Sequence, residues 1–157
     1  MTNKALKYLE KFQGQVLEKN PSPVSEWLNG RIIKVAEGEA IIEYLVRQEM
    51  TNALGVLQGG IIAAIIDDAY GIAIFSLGKD RFYTSVNLSV DYLLSAKPGQ
   101  LIYAHAYVVR EGNTVVNLKC DLNSEDGKLI AHSASNIISK EIDRQYSIYD
   151  WLKPDMD

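Results

Sequence analysis

Apolar and polar residues change their period several times along this chain, and each change marks an element. Over residues 4–18, Leu6, Leu9, Phe12 (with Tyr8) and Val16 recur at helical intervals between lysines and glutamates, which predicts an amphipathic helix. The run "NPSP" at Asn20–Pro23 breaks it. "GRIIKVAEG" and "EAIIEYLV" then read as two strands joined by a turn at Glu37-Gly38-Glu39. The stretch from Thr51 to Gly78, "TNALGVLQGGIIAAIIDDAYGIAIFSLG", is apolar at most positions and predicts one long helix entered through Gly59-Gly60. After Gly78-Lys79-Asp80 come four strand-like runs, "RFYTSVNLSVDYLL", "LIYAHAYVV", "NTVVNLKCDL" and "KLIAHSASNII". Their separators, "SAKPGQ", "REGN" and "NSEDG", are built from turn residues.

The alternation is clearest in the second of these runs. Leu101, Tyr103, His105 and Tyr107 share one face, and Ile102, Ala104, Ala106 and Val108 the other. Consecutive hairpin-linked strands pair antiparallel, so the four runs predict a meander in an antiparallel sheet. A helix that is apolar nearly all round must be covered on nearly every side, and a curved sheet wrapped about it does so. The fold class is α+β, with the long helix cradled by the sheet.

Composition adds limits. The 157 residues suit one domain with a core of its own. With 47% hydrophobic and 23% charged residues the chain reads as globular, not disordered. A net charge of −4 gives no electrostatic reason to bind nucleic acid or an anionic membrane. The N-terminal stretch mixes charges with apolar residues, unlike a secretory signal. The charge-free part of the long helix stops at Ile66, too short to span a bilayer. Cytoplasmic localisation is expected. Cys120, alone and inside an apolar run, reads as an inert core thiol. His105 and His132 lie in strand patterns, and no metal-site spacing is present.

Two features of the long helix ask for chemistry. Asp67 and Asp68 interrupt an apolar surround, and successive helical residues point about 100° apart, so the two acids cannot share a face. One carboxylate therefore lies against buried surface or an interface, which is costly unless it is paired or functional. With the helix beginning near Gln58, the N–H groups of Gly59 and Gly60 fall in its first turn, at the positive end of the dipole. Such donors can stabilise an oxyanion, and absent side chains let a carbonyl come close. Gly59 and Asp67 are eight residues apart, about 12 Å of helix rise. An aspartate cannot bridge that gap, so one helix does not build the site alone. Two antiparallel copies in a two-fold dimer would, each N-terminus lying against the other's middle turn.

The pattern "N-x-x-G-x-x-x-G-G" before an apolar helix bearing Asp, here Asn52, Gly55, Gly59, Gly60 and Asp67, resembles the hotdog-fold thioesterases of the phenylacetate-degradation (PaaI-like) family. The strand "S-V-x-L-x-V-x-Y-L" and the turn "A-K-x-G" are similar as well, and the resemblance covers roughly residues 30–140. It implies a single hotdog domain over 1–157, with an N-terminal helix and linker at 1–23, the hotdog core at 24–140 and a tail at 141–157. It also implies hydrolysis of an acyl-CoA thioester. By position Asp67 matches the acid that activates or orients water, or attacks directly. Gly59 matches the residue whose N–H binds the thioester oxygen, assisted by Asn52. Ser85 matches a hydroxyl that places the water. No cofactor is implied beyond the coenzyme A of the substrate, and the implied assembly is a homodimer with sites between subunits, or a homotetramer of such dimers.

One departure stands out: the family usually has His before the glycine pair, and this chain has Gln58. Gln can donate and accept hydrogen bonds but carries no proton back and forth. Gly60, Asp68, Tyr83, Lys97 and Arg110 are the remaining substrate-binding candidates, the last two as cations at turns for the phosphates of CoA. Tyr70, Phe75, Tyr83 and Tyr92 are the side chains whose packing would set pocket depth. The aromatic C-terminal stretch "RQYSIYDWLKPDMD" reads as a tail on the outside of the sheet or on a neighbouring subunit. Two rival functions follow. A non-catalytic acyl-CoA-binding module is favoured by Gln58. An enoyl-CoA hydratase would want an Asp/His pair before the helix, which "QEMTNALGVLQGG" lacks.

Overall fold

A computed structural model describes residues 2–17 and 20–141. The aromatic C-terminal stretch, from residue 142 on, lies outside the described residues. The elements are α1 (Lys4–Glu10), α2 (Pro23–Leu28), β1 (Arg31–Ala36), β2 (Glu39–Leu45), α3 (Gly59–Phe75), β3 (Arg81–Tyr92), β4 (Leu101–Glu111), β5 (Val115–Ser124) and β6 (Leu129–Glu141). A 3-10 turn at Gln48–Met50 precedes the loop into α3. The strands form one antiparallel sheet in the order β1-β2-β4-β5-β6-β3, with α3 packed across its inner face, the hotdog arrangement. No helix among the described residues is long and apolar enough to cross a membrane.

The inner face follows from the period-two pattern. Ile102, Ala104 and Ala106 of β4 are buried, as are Val116, Leu118, Cys120 and Leu122 of β5. They meet Ile62, Ile65, Ile66, Ala69, Tyr70 and Ala73 of α3. Each isoleucine so buried stabilises the fold by about 1.5–3 kcal/mol relative to exposure, before chain entropy is counted. Alanines on β4 keep the sheet surface low, so the helix backbone approaches closely. Burial pushes the Cys120 thiol far above its ordinary range, which makes it the inert core residue expected.

Three expectations need correction. Helix α1 stops at Glu10 and does not run to residue 18. Gly14 adopts φ +86°, its N–H donates to the Ile32 carbonyl at 2.6 Å, and Val16 bridges to Arg31, so the chain turns to join β1. Long-range pairing outweighs a helical spacing that only four apolar residues supported. The second correction is α2, which sequence patterning missed. Ser22 caps it by accepting from Ser25 N–H at 3.3 Å, and Pro23 occupies its first turn, where a missing N–H costs nothing. Third, only β4, β5 and β6 form the meander. β3 pairs with β6 at the far edge, and residues 93–100 cross over to β4 instead of making a hairpin. The Gly99 N–H donates to Val46 O at 2.8 Å and Val46 N–H to Gln100 O at 2.9 Å, which ties that crossover to the end of β2.

Candidate active site

The described residues do not cover helix α3 all round. Gly60, Asp67 and Gly71 are exposed and Ala63 and Ala64 half-buried, a stripe left open by the chain's own sheet. Asp67 lies on this stripe, and the Ser85 hydroxyl donates to its Oδ1 at 3.4 Å. Asp68, about 100° round the helix, turns inward. It accepts from the Ser25 hydroxyl of α2 and from the Tyr44 hydroxyl of β2, the latter at 2.7 Å. The two acids thus separate as their spacing requires. Asp67 faces open space, and Asp68 fastens α2 and β2 to the central helix.

Burial pushes the Asp68 carboxyl up, and its two hydroxyl donors pull it partly back. The Tyr44 phenol, wholly buried against that carboxylate, is pushed well up. A raised carboxyl means the folded protein holds this proton more tightly than the unfolded chain does. The stability it contributes is full below the unfolded value and is lost as pH rises through the folded one. Tyr44→Phe removes a donor to the charged form and should cost about 1.5–3 kcal/mol near neutral pH. Urea titrations at about pH 4 and pH 8 should show the gap to wild type widening at the higher pH. An equal gap at both would mean that Tyr44 acts by packing alone.

The entrance to α3 is built by main-chain bonds. Asn52 Oδ1 accepts from the N–H groups of Leu54 at 2.9 Å and Val56 at 3.4 Å, closing a small loop in which Gly55 takes φ +73°. Leu57 N–H donates to Ala96 O at 2.8 Å, and Gln58 N–H to Met50 O at 3.0 Å. Gln58 is the N-cap residue, but its side chain does not cap the helix. Its carbonyl accepts from Ile61 and Ile62 at 2.9 and 3.0 Å, so the cap geometry does not depend on which side chain stands there.

A residue that sequence reasoning placed only as pocket packing touches this entrance directly. The Tyr92 hydroxyl donates to Gly59 O at 3.1 Å, and a Cβ built on Gly59 would lie 3.3 Å from the Tyr92 ring. Gly59 therefore cannot gain a side chain without moving that ring. Ser85 and Tyr92 are seven residues apart, an odd interval that puts them on opposite faces of a regular strand. A bulge between Ser85 and Asn87 shifts the register and brings both to the helix side. The exposed Val86 is the extra residue. Nothing in the residue types announces this bulge.

The other candidates are spread out. Gly60 is exposed in the first turn, with open space where a Cβ would be. Lys97 follows Ala96 and so stands at the helix-entrance end. Arg110 lies nine residues beyond Leu101 on β4, about 30 Å along the strand. One protomer therefore does not bring both cations to the same phosphate. Tyr83 is at the opposite end of β3 from Tyr92; burial pushes its phenol up, and Glu111, Lys79 and Arg81 are its charged surroundings. His105 and His132 pair with Glu39 at 2.8 Å and Asp121 at 2.6 Å, away from α3.

Comparison with known proteins bears on the family and the fold. The thioesterase superfamily model matches residues 54–131. Acyl-coenzyme A thioesterase 13 of Homo sapiens is 35% identical over 101 residues, 64% of this chain and 72% of that protein. The PaaI protein from the E. coli phenylacetic acid degradation operon superposes with a TM-score of 0.74 at 21% identity, covering 89% of this chain and 94% of that one. A hypothetical thioesterase protein from Streptococcus pneumoniae, solved with coenzyme A, gives 0.68 at 19%, covering 73% of this chain and 89% of that one.

Proposed function

This chain belongs to the thioesterase superfamily, and from that membership we propose that it hydrolyses acyl-CoA thioesters at Asp67, across a two-fold dimer. The observation that carries the proposal is Asp67 itself: an exposed carboxylate on a largely apolar helix, accepting a serine hydroxyl and facing an open groove. In the proposed step a water bound beside Asp67 and Ser85 attacks the thioester carbon and gives its proton to the carboxylate. The carbonyl electron pair moves onto oxygen, where the N–H groups of Gly59 and Gly60 receive it. Collapse of that intermediate breaks the C–S bond, and the departing thiolate takes the proton from Asp67. The products are a carboxylic acid and coenzyme A. No second cofactor enters this balance.

The dimer is part of the proposal. Gly59 and Asp67 of one helix are separated by about 12 Å of rise, too far for one carbonyl group to contact both. Among the described residues β3 ends the sheet with an unpaired edge; it exposes Phe82, Val86 and Tyr92, and Leu93 and Leu94 just after it are exposed as well. Long apolar edges of this kind are templates for pairing with another chain. Pairing two β3 edges antiparallel would run the two α3 helices antiparallel as well, which supports the required juxtaposition.

Thiol release from a series of acyl-CoAs tests the reading. Turnover of at least one ester supports the hydrolase. Tight CoA binding without turnover of any of them would leave only the binding module, and hydration of an enoyl-CoA double bond would point to the other rival.

A further inference from the structure

Tyr92 makes a hydrogen bond that folding does not require. Its side chain is 54% exposed, so water could serve the phenol. The buried hydroxyls of Tyr44 and Tyr70, bonded to Asp68 and Ser133, have no such alternative. Nor does the acceptor need Tyr92. Gly59 opens α3, where its carbonyl receives the N–H four residues on, and a carbonyl oxygen has a second lone pair to spare. The Tyr92 hydroxyl occupies that second position, at 3.1 Å.

The surroundings hold the phenol there. Tyr92 pairs with Ala131 of β6, and the next two N–H groups, of Leu93 and Leu94, donate to Ile130 O at 2.9 and 3.1 Å. The ring stands 3.3 Å from the place of a Gly59 Cβ, so tyrosine and glycine are fitted to one another. Gly60 has open space at the same position.

The amide that receives this bond is one of the two that face the thioester. The Gly59 carbonyl and the Gly60 N–H are two ends of one resonant unit, so a donor on the oxygen draws electron density from the nitrogen. Hydrogen bonds linked in this way strengthen one another by about 10–30%. The other donor, the Gly59 N–H, shares its amide with Gln58 O, which already takes the N–H groups of Ile61 and Ile62. Each amide is thereby held at its carbonyl end, one by the helix itself and one with the added hold of a side chain.

We propose that Tyr92 is a positioning residue for the oxyanion hole: its hydroxyl orients and polarises the Gly59–Gly60 amide so that the Gly60 N–H meets the charge developing on the thioester oxygen. The proposal rests on the hydrolase reading above. It gives β3 a part at both ends of the chemistry, Ser85 beside the acid and Tyr92 beside the helix entrance.

Tyr92→Phe keeps the ring and loses only the hydroxyl. In the full chain, kcat should fall about two- to tenfold, the worth of one hydrogen bond, with KM within about twofold of wild type, because the bond matters most once charge builds on the oxygen. The midpoint of urea unfolding should not move. Two unreactive CoA analogues separate positioning from packing. A trifluoromethyl ketone forms a tetrahedral hydrate resembling the intermediate, and a plain thioether has no carbonyl at all. Kd for the ketone should rise by the factor lost from kcat, and Kd for the thioether should stay constant. If wild type turns over no ester, the hydrolase reading falls, and the two affinities still decide whether Tyr92 tunes the helix entrance. A loss carried by KM, equal weakening of both analogues, or no change in either would overturn the proposal.

Discussion

Asp67→Asn should lower kcat for thioester hydrolysis by about 10²–10⁴-fold, the range a positioned general base supplies. Asparagine keeps the size of the side chain and an acceptor for the Ser85 hydroxyl, but it cannot take a proton from water. Because Asp67 is exposed and stands outside the packed core, stability should change by no more than about 0.5 kcal/mol. The neighbouring acid is the control. Asp68→Asn replaces one of the two acceptor oxygens that Ser25 and Tyr44 now use with an NH2, so one hydroxyl must turn from donor to acceptor and both bonds lose their charge assistance in a largely buried position. That variant should lose stability more than turnover. Thiol-release kinetics and urea denaturation on the pair give four numbers. The assignment fails if Asp67→Asn keeps more than about a tenth of wild-type kcat. Ser85→Ala should fall between the two, since its 3.4 Å bond is long.

Much of this arrangement was legible before any coordinates. The two-residue period of β4 separated Ile102, Ala104 and Ala106 from Leu101, Tyr103 and His105, as the burial pattern does, because alternation is a property of any strand whatever its neighbours; which face turns inward was not read from it. Helical geometry separated Asp67 from Asp68, but it did not say which acid turns inward, and Asp68, read from sequence as a substrate-binding candidate, instead accepts from Ser25 and Tyr44. What periodicity could not supply was the order of strands. A run of turn residues such as "SAKPGQ" is equally compatible with a hairpin and with a crossover, and only its bonds to Val46 distinguish them. Helix α2 is six residues long, less than two turns, and too short for a periodic signal. Its Ser-Pro start was the one available mark. The bulge at Ser85–Asn87 was invisible for a different reason: it depends on how β3 accommodates β6, and it alone lets Ser85 and Tyr92 face the same helix.

Gln58 shows how a side-chain departure can be weighed by its backbone. The cap bonds at this position all come from main-chain N–H and C=O groups, so replacing an imidazole by an amide leaves the helix entrance formed. Any loss caused by the departure would fall on chemistry at the thioester and not on folding.

Two inactive variants, Asp67→Asn and Gly59→Val, should restore activity to each other when mixed. Gly59→Val puts branched methyls against the Tyr92 ring and into the approach of the carbonyl, and loss of oxyanion stabilisation should cost about 10²–10³-fold. In a heterodimer of the two, one composite site carries both substitutions. The other unites the intact Asp67 of the Gly59→Val chain with the intact Gly59 of the Asp67→Asn chain. Random reassortment of equal amounts makes half the dimers mixed and half of their sites whole, so about one quarter of wild-type activity should return. Denaturing and refolding the two chains together, against the same treatment of each alone, reads this directly. Were Asp67 and Gly59 to serve one carbonyl from within a single chain, every site would keep one defect and mixing would restore nothing. On the proposed dimer the 12 Å of helix between them argues against that, and the return of a quarter is the result expected.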